Sequence, residues 1–141
     1  GLFATAVAKM YGAKQTTIIG YNYERLVIAK KVGADETIRG NSKQFSDGEL
    51  KKRLLDRNPI GFDVVLEYSG SQSGIEWGID LVRPGGRLAV FGLTKRSLVS
   101  IPYNKIAFKA IDMRGIYGRI IWDTWKQVSD ILISPMLDLI D

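Results

Sequence analysis

The fold is decided by the stretch Thr16-Thr17-Ile18-Ile19-Gly20-Tyr21-Asn22-Tyr23-Glu24-Arg25. Its first half is apolar and β-branched, which is typical of a buried strand, and Gly20 breaks that run. Its second half leads into a helix predicted over residues 23–32, which Gly33 closes. The stretch therefore predicts a strand that turns abruptly into a helix, the repeating unit of a parallel α/β sheet.

The same alternation continues on both sides of this stretch. Upstream, an apolar helix is predicted over residues 1–12. Downstream, the pattern predicts strands over residues 36–38, 62–68, 87–91 and 111–117, with a short extended segment at Leu98–Ile101. Helices are predicted after the capping box Ser46–Glu49, along Ile75, Ile79 and Val82, and from about Ile121 to Ile133, with a helical turn over 103–108. Strands that alternate with helices in this way predict an α/β fold with a doubly wound parallel sheet of the Rossmann type.

Four glycines, Gly20, Gly70, Gly92 and Gly118, stand where predicted strands end. Ligands of such sheets bind at the carboxyl ends of the strands. Glycines at these ends leave the backbone exposed, so we expect a flat, extended ligand to lie across them.

Composition narrows the possible functions. The chain has 141 residues, enough for one domain, and a net charge of +5 from 20 basic and 15 acidic residues. The densest basic run, Lys51–Arg53, is interpreted as a solvated helix face, so we expect no nucleic-acid partner. No apolar run has the length of a membrane span, and a cytoplasmic location is the default expectation.

Cysteine and histidine are both absent. Their absence removes disulfides, thiol nucleophiles, histidine bases and the usual zinc ligands from this chain. We therefore expect no catalytic residue and no metal site within it.

Gly1, directly before an apolar helix, matches the last glycine of the G-x-G-x-x-G motif. The first strand and the phosphate-binding turn would then precede residue 1. We expect residues 1–141 to be a dinucleotide-binding domain that lacks its first strand, as a fragment of a longer polypeptide. That missing strand is central in the order 3-2-1-4-5-6, so its absence would leave two half-sheets.

Longer segments carry a family resemblance. The chain resembles the cofactor domain of zinc-dependent medium-chain dehydrogenases in the segments Gly1–Lys9, Arg25–Leu26, Ala29–Asp35, Gly61–Gly70, Arg83–Arg87 and Phe91–Leu93. Within that family, the threonine dehydrogenases are most similar in Phe108–Ala110, Gly115–Arg119 and Trp122–Trp125.

The resemblance implies hydride transfer from a small secondary alcohol, such as threonine or a polyol, to NAD or NADP. It also implies a zinc ion in a separate catalytic domain that this chain does not contain, so the chain alone is expected to bind cofactor without turnover. Segments Leu98–Ile101 and Ile111–Tyr117 resemble the family's dimer-forming region, which implies a homo-oligomer, dimeric or tetrameric.

Cofactor contacts follow from the resemblance position by position. Arg25 matches the residue that lies against the adenine and ribose, and a solvated helix residue is the alternative. The nicotinamide end is expected to contact backbone groups of Phe91, Gly92 and Leu93, together with Ile116 and Tyr117. Packing is the open alternative for Phe91, Ile116 and Tyr117. Glu67, which closes an apolar strand, is interpreted as a structural hydrogen-bonding group.

Gly20 departs from the family pattern. NAD-preferring members carry an acid there, which binds the ribose hydroxyls and repels a 2′-phosphate. With glycine, a phosphate can meet Arg25, Arg39 and also Tyr21 or Asn22, whereas the nearby Glu24 is a candidate substitute for the acid. NAD and NADP therefore both stay open.

Two other functions remain as alternatives. Segments Phe62–Val65 and Val82–Leu88 are also typical of S-adenosylmethionine-dependent methyltransferases, although Gly20 again lacks the ribose-binding acid. A non-catalytic cofactor-binding module is the third possibility.

Trp122 and Trp125 are interpreted as part of an apolar core stripe, together with Val128 and Leu132, and not as the lining of a substrate pocket.

Overall fold

The computed structural model describes residues 1–40, 46–118 and 120–133, except for the side chain of Leu132. The elements are, in chain order, α1 (Leu2–Met10), β1 (Thr17–Gly20), α2 (Tyr23–Lys31), β2 (Glu36–Arg39), α3 (Asp47–Arg57), β3 (Phe62–Glu67), α4 (Gln72–Leu81), β4 (Val82–Val90), α5 (Tyr103–Phe108), β5 (Asp112–Gly115) and α6 (Asp123–Ile133). They form two compact units. The first comprises Gly1–Ser46 and the described residues after Gly118, and the second comprises Asp47–Gly118.

The first unit is built on a two-stranded sheet. β1 and β2 are parallel, with Thr17 opposite Glu36 and Gly20 opposite Arg39. Helix α2 packs on both strands and α1 packs on α2. Their small core consists of Ala6, Leu26, Ala29, Ala34 and Ile38.

Asp35 joins the elements of the first unit. Its carboxylate accepts hydrogen bonds from the Thr16 amide at 2.6 Å and from Lys9 Nζ at 3.1 Å. These hydrogen bonds, led by that of the Thr16 amide, lower the pKa of Asp35 below its usual value. The start of β1, the start of β2 and the end of α1 are thereby held together.

The second unit is built on a three-stranded parallel sheet in the order β3-β4-β5. Helix α4 packs on β3 and β4, and both α3 and α5 contact α4. The buried cluster behind this packing contains Ile75, Ile79, Val82, Leu88 and Ile111.

The predicted fold class is confirmed. Every strand pair in the described residues is parallel, and helices separate β1, β2, β3 and β4 along the chain. In the doubly wound order 3-2-1-4-5-6, β2 and β1 take the places of strands 3 and 2, and β3, β4 and β5 take the places of strands 4, 5 and 6. The described residues form no single five-stranded sheet, which agrees with the expectation of two half-sheets.

The predicted extended segment Leu98–Ile101 does not form a strand. Its backbone is bound by a side chain instead of a neighbouring strand: the Ser100 amide donates to Gln72 Oε1 at 3.1 Å, and Gln72 Nε2 donates to the Ser100 carbonyl. An apolar run flanked by Ser97 and Pro102 is therefore fixed as a loop against α4.

Two strand boundaries also differ from the prediction. β4 begins at Val82, the predicted last stripe residue of α4, because Val82 pairs with Phe62 before a register shift brings Arg87 opposite Val64. The residues between form a bulge in which Gly85 has φ +65°. β5 covers only Asp112–Gly115 of the predicted 111–117.

The predicted stripe of α6 is wrong in two respects. Trp122 has φ +75°, so it precedes the helix instead of sharing its face. Trp122 and Trp125 are 78% and 59% exposed, so they do not form a core stripe. Leu132 lies outside the described side chains. Periodicity marks an apolar helix face but does not say what covers it.

In the part of the chain that the structure describes, no helix is both long enough and apolar enough to cross a membrane.

Candidate functional site

The carboxyl ends of β1 and β2 bring together two residues that the sequence singled out. Gly20 lies opposite Arg39, and the Gly40 amide donates to the Gly20 carbonyl at 3.0 Å. The ring of Tyr21 covers Gly40, because a Cβ on Gly40 would lie 2.7 Å from Tyr21 Cε1. Gly40 is therefore needed for this close packing, and the Arg39 side chain remains exposed.

Helix α2 starts directly beside these strand ends. Asn22 is its N-cap, and its Oδ1 accepts a hydrogen bond from the Arg25 amide at 2.9 Å. This cap was missed in the sequence, although asparagine is among the most favoured N-cap residues and stood between a strand and a helix. Asn22 Oδ1 is thus already in use, and Arg25 lies exposed in the first turn of α2.

Gly1 lies close to Arg25. The Gly1 carbonyl caps the first turn of α1 by accepting from the Thr5 amide and hydroxyl, both at 3.1 Å. The first unit therefore brings the helix start at Gly1 near Arg25, next to the strand end of Gly20 and Arg39.

This end of the first unit is electropositive. Among the described residues, neither Arg25 nor Arg39 has a carboxylate partner within ion-pair distance. Glu24 is exposed and forms no such pair there. Guanidinium groups without an internal partner fit a phosphate or the hydroxyls of a ribose, which are the groups of an adenine dinucleotide.

The second unit contains the predicted nicotinamide contacts. Beneath them lies the carboxylate of Glu67, which accepts hydrogen bonds from the Ser69 amide at 2.7 Å and from the Gly70 amide at 3.1 Å. Glu67 is only 5% exposed. The structural role predicted for Glu67 is confirmed by these bonds.

Three of the backbone amides at the predicted contacts are already used within the fold. Those of Phe91 and Gly92 donate to the Glu67 carbonyl at 2.9 and 3.0 Å, and that of Ile116 donates to the Val90 carbonyl at 2.8 Å. What these three residues offer a ligand from their backbone is therefore their carbonyl groups, which suit the NH₂ of a carboxamide.

The side chains at these positions are open to solvent. Phe91 is 48% exposed and contacts the ring of Tyr68 at 5.4 Å between centroids. Tyr117 is 88% exposed, and Leu93 and Ile116 are exposed as well, so core packing does not account for them.

The residues present do not fit a zinc ion. No described group of three or more Asp, Glu, His or Cys side chains could hold a metal, and the whole chain contains neither His nor Cys. No step that involves zinc is therefore assigned to residues of this chain.

Known proteins are similar to the chain over almost its whole length. L-threonine 3-dehydrogenases of Thermococcus kodakarensis and Pyrococcus furiosus are 37% and 39% identical over 139 and 140 residues, each 99% of this chain. The chain spans 39% of the length of each of these relatives.

Solved structures are similar as well. An alcohol dehydrogenase from Thermus sp. ATN1 has a TM-score of 0.81 at 27% identity, covering 98% of this chain and 39% of that one. Galactitol-1-phosphate dehydrogenase from Escherichia coli has a TM-score of 0.79 at 27% identity, with 98% and 40% covered.

The pattern of the family described as "Zinc-binding dehydrogenase" matches residues 1–134. This match decides against the methyltransferase alternative, because it extends over both units and every described element. The chain therefore belongs to the zinc-binding dehydrogenase family.

Proposed function

We propose that this chain is the NAD(P)-binding part of a zinc-dependent dehydrogenase that oxidises a small secondary alcohol, threonine or a polyol-like compound. The observation that carries the proposal is the family match over residues 1–134. The relatives named L-threonine 3-dehydrogenase and galactitol-1-phosphate dehydrogenase support this class of substrate. Residues outside this chain hold the zinc ion and select the alcohol.

Each unit binds its own end of the cofactor in this proposal. In the first unit, Arg25 lies against the adenosine and Gly1 opens the helix that faces the pyrophosphate. In the second unit, the carbonyls of Phe91, Gly92 and Leu93 accept hydrogen bonds from the carboxamide, with Ile116 and Tyr117 beside the ring. The bound nicotinamide supplies the hydride acceptor.

The chain's own contribution to catalysis is orientation. A carboxamide fixed by backbone carbonyls cannot rotate freely, so one face of the ring is presented to the alcohol. Because the Phe91, Gly92 and Ile116 amides are held inside the fold, these carbonyls are set by the sheet itself.

The same site favours NADP in our proposal. Gly20 contributes no carboxylate to repel a 2′-phosphate, and it lies opposite Arg39 at the strand end. Arg25 and Arg39 have no carboxylate partner among the described residues, so both are available for a phosphate. Glu24 lies on the helix, not at the strand end where an acid reads the ribose.

A homo-oligomer is also proposed. β5 is the outer strand of its sheet, and an outer strand presents unpaired backbone groups that invite pairing with a second copy.

Parallel calorimetric titrations of the full-length protein test the function. NADP is expected to bind more tightly than NAD, and S-adenosylmethionine is expected not to bind. Binding of the methyl donor alone contradicts the proposal, and stronger binding of NAD than of NADP contradicts the preference.

A further inference from the structure

Glu67 is the only buried carboxylate in the described part of the chain. It lies at the end of β3, below the turn that follows this strand. Ser69 donates to Glu67 Oε1 from both its amide, at 2.7 Å, and its hydroxyl, and the Gly70 amide is 3.1 Å from each carboxylate oxygen. The side chain of Glu67 therefore holds the Ser69–Gly70 turn.

The backbone carbonyl of Glu67 holds the turn that follows β4. The Glu67 carbonyl accepts hydrogen bonds from the amides of Phe91 and Gly92. The two turns also touch each other: a Cβ on Gly70 would lie 2.3 Å from the Leu93 carbonyl oxygen. A Cβ on Gly92 would lie 2.1 Å from the Gly70 nitrogen and 2.7 Å from Glu67 Oε2. One residue thus fixes both turns, and no space is left between them.

We propose that Glu67 is a positioning residue for the nicotinamide end of the cofactor. The inference rests on the proposed function, in which the carbonyls of Phe91, Gly92 and Leu93 accept hydrogen bonds from the carboxamide. Glu67 does not touch the cofactor; it sets where these carbonyls lie. In Glu67→Gln, a neutral amide oxygen replaces the charged carboxylate as the acceptor of the Ser69 and Gly70 donors, and the amide NH₂ cannot accept from the Gly70 amide, so the turn against Leu93 shifts. Because a displacement of about 1 Å is enough to weaken an oriented contact, the carboxamide would be held less well.

The test compares each dinucleotide with the same molecule lacking nicotinamide: NADP with 2′-phospho-ADP-ribose, and NAD with ADP-ribose. Their dissociation constants are measured in the full-length protein and in its Glu67→Gln variant. We expect the variant to bind the preferred dinucleotide about tenfold more weakly. Its affinity for the matching ligand without nicotinamide is expected to change less than about twofold, because the adenosine contacts lie in the other unit.

Glu76→Gln is the matched control, since Glu76 is an exposed carboxylate on α4 that can be exchanged for the same amide. It is expected to change neither affinity. If Glu67→Gln does not fold, Ser69→Ala replaces it: this exposed residue loses one hydroxyl donor to Glu67, and a smaller loss with the same selectivity is expected.

The positioning role is overturned if Glu67→Gln weakens the binding of both ligands equally, or if it weakens the binding of neither. If the unmodified protein binds no dinucleotide at all, the proposed function fails instead, so the two failures are distinguishable.

Discussion

At the scale of single residues, Gly20 has room for a side chain. Among the described residues, an added Cβ would meet only Leu26, at 3.4 Å, which is an ordinary contact. Its φ lies outside the left-handed region, so a larger residue is tolerated there. The backbone therefore does not require glycine at this strand end. What glycine changes is the chemistry of the site, because it contributes no carboxylate.

We therefore predict that Gly20→Asp reverses the cofactor preference. A carboxylate opposite Arg39 would bind ribose hydroxyls and repel a 2′-phosphate, so NADP affinity falls at least about tenfold and NAD affinity rises. Calorimetric titration of both cofactors measures the change. Gly48→Asp, in open space on α3, is the control and leaves both affinities unchanged. Undiminished NADP binding in Gly20→Asp would contradict this prediction.

Gly92 is constrained in the opposite way. Its Cβ would lie 2.1 Å from the backbone nitrogen of Gly70, which no side-chain rotation can relieve. Gly92→Ala is predicted to lower the free energy of unfolding by about 3 kcal/mol, the upper range for overpacking. Chemical denaturation measures it, with Gly115→Ala as the control because nothing lies within 4 Å there. Similar values for the two variants would contradict this account.

At the scale of elements, the end of α4 is held by charges from two other helices. Asp80 accepts from Lys51 of α3 at 2.5 Å and from Lys105 of α5 at 2.6 Å. Lys109 donates to the Ile79 and Asp80 carbonyls, both at 2.9 Å, as a cation at a helix C-terminus should. Burial lowers the pKa of Lys109.

These contacts predict a pH dependence of stability. Burial alone would raise the pKa of Asp80, but the hydrogen bonds from Lys105 and Lys51 outweigh it and lower the pKa below 3.8. Because the folded carboxyl binds its proton more weakly than the unfolded one, its stabilisation is present above that value and is lost as the pH falls further.

Asp80→Asn is expected to cost about 2 kcal/mol at pH 7, the order of hydrogen bonds to a charged group. Its loss of stability as the pH falls below about 4 should be shallower than that of the unmodified protein. Denaturation at a series of pH values measures both. Asp56→Asn, an exposed acid on α3, serves as the control. If the stability of Asp80→Asn falls with decreasing pH as steeply as that of the unmodified protein, Asp80 does not contribute to the pH dependence.

At the scale of the whole molecule, our proposal assigns cofactor binding to this chain, which contains no His or Cys, and zinc binding to residues outside it. We predict that removing zinc from the full-length protein with a chelator abolishes alcohol oxidation while its affinity for NADP changes less than about twofold. Turnover and calorimetry are measured on the same sample. Loss of NADP binding on chelation would contradict the proposed division of labour.

The local patterns of the sequence were sufficient for most elements. The strand of Thr17–Gly20, the helix of Tyr23–Lys31 and the parallel α/β class all follow from periodicity and glycine placement, because these act over a few residues. A boundary was wrong where a distant contact decided the outcome. Val82, predicted as the last stripe residue of α4, pairs with Phe62 and begins β4 instead.

The sequence by itself determined the fold class, the family resemblance and the chemistry this chain lacks, since composition and short-range pattern carry that information. Only the tertiary structure decided that Gly20 lies opposite Arg39, that Tyr21 covers Gly40 and that Glu67 supports two turns at once. Strand register and packing between residues far apart in the chain produce the first two pairs and bring the turn after β4 to Glu67, and no local propensity encodes these contacts.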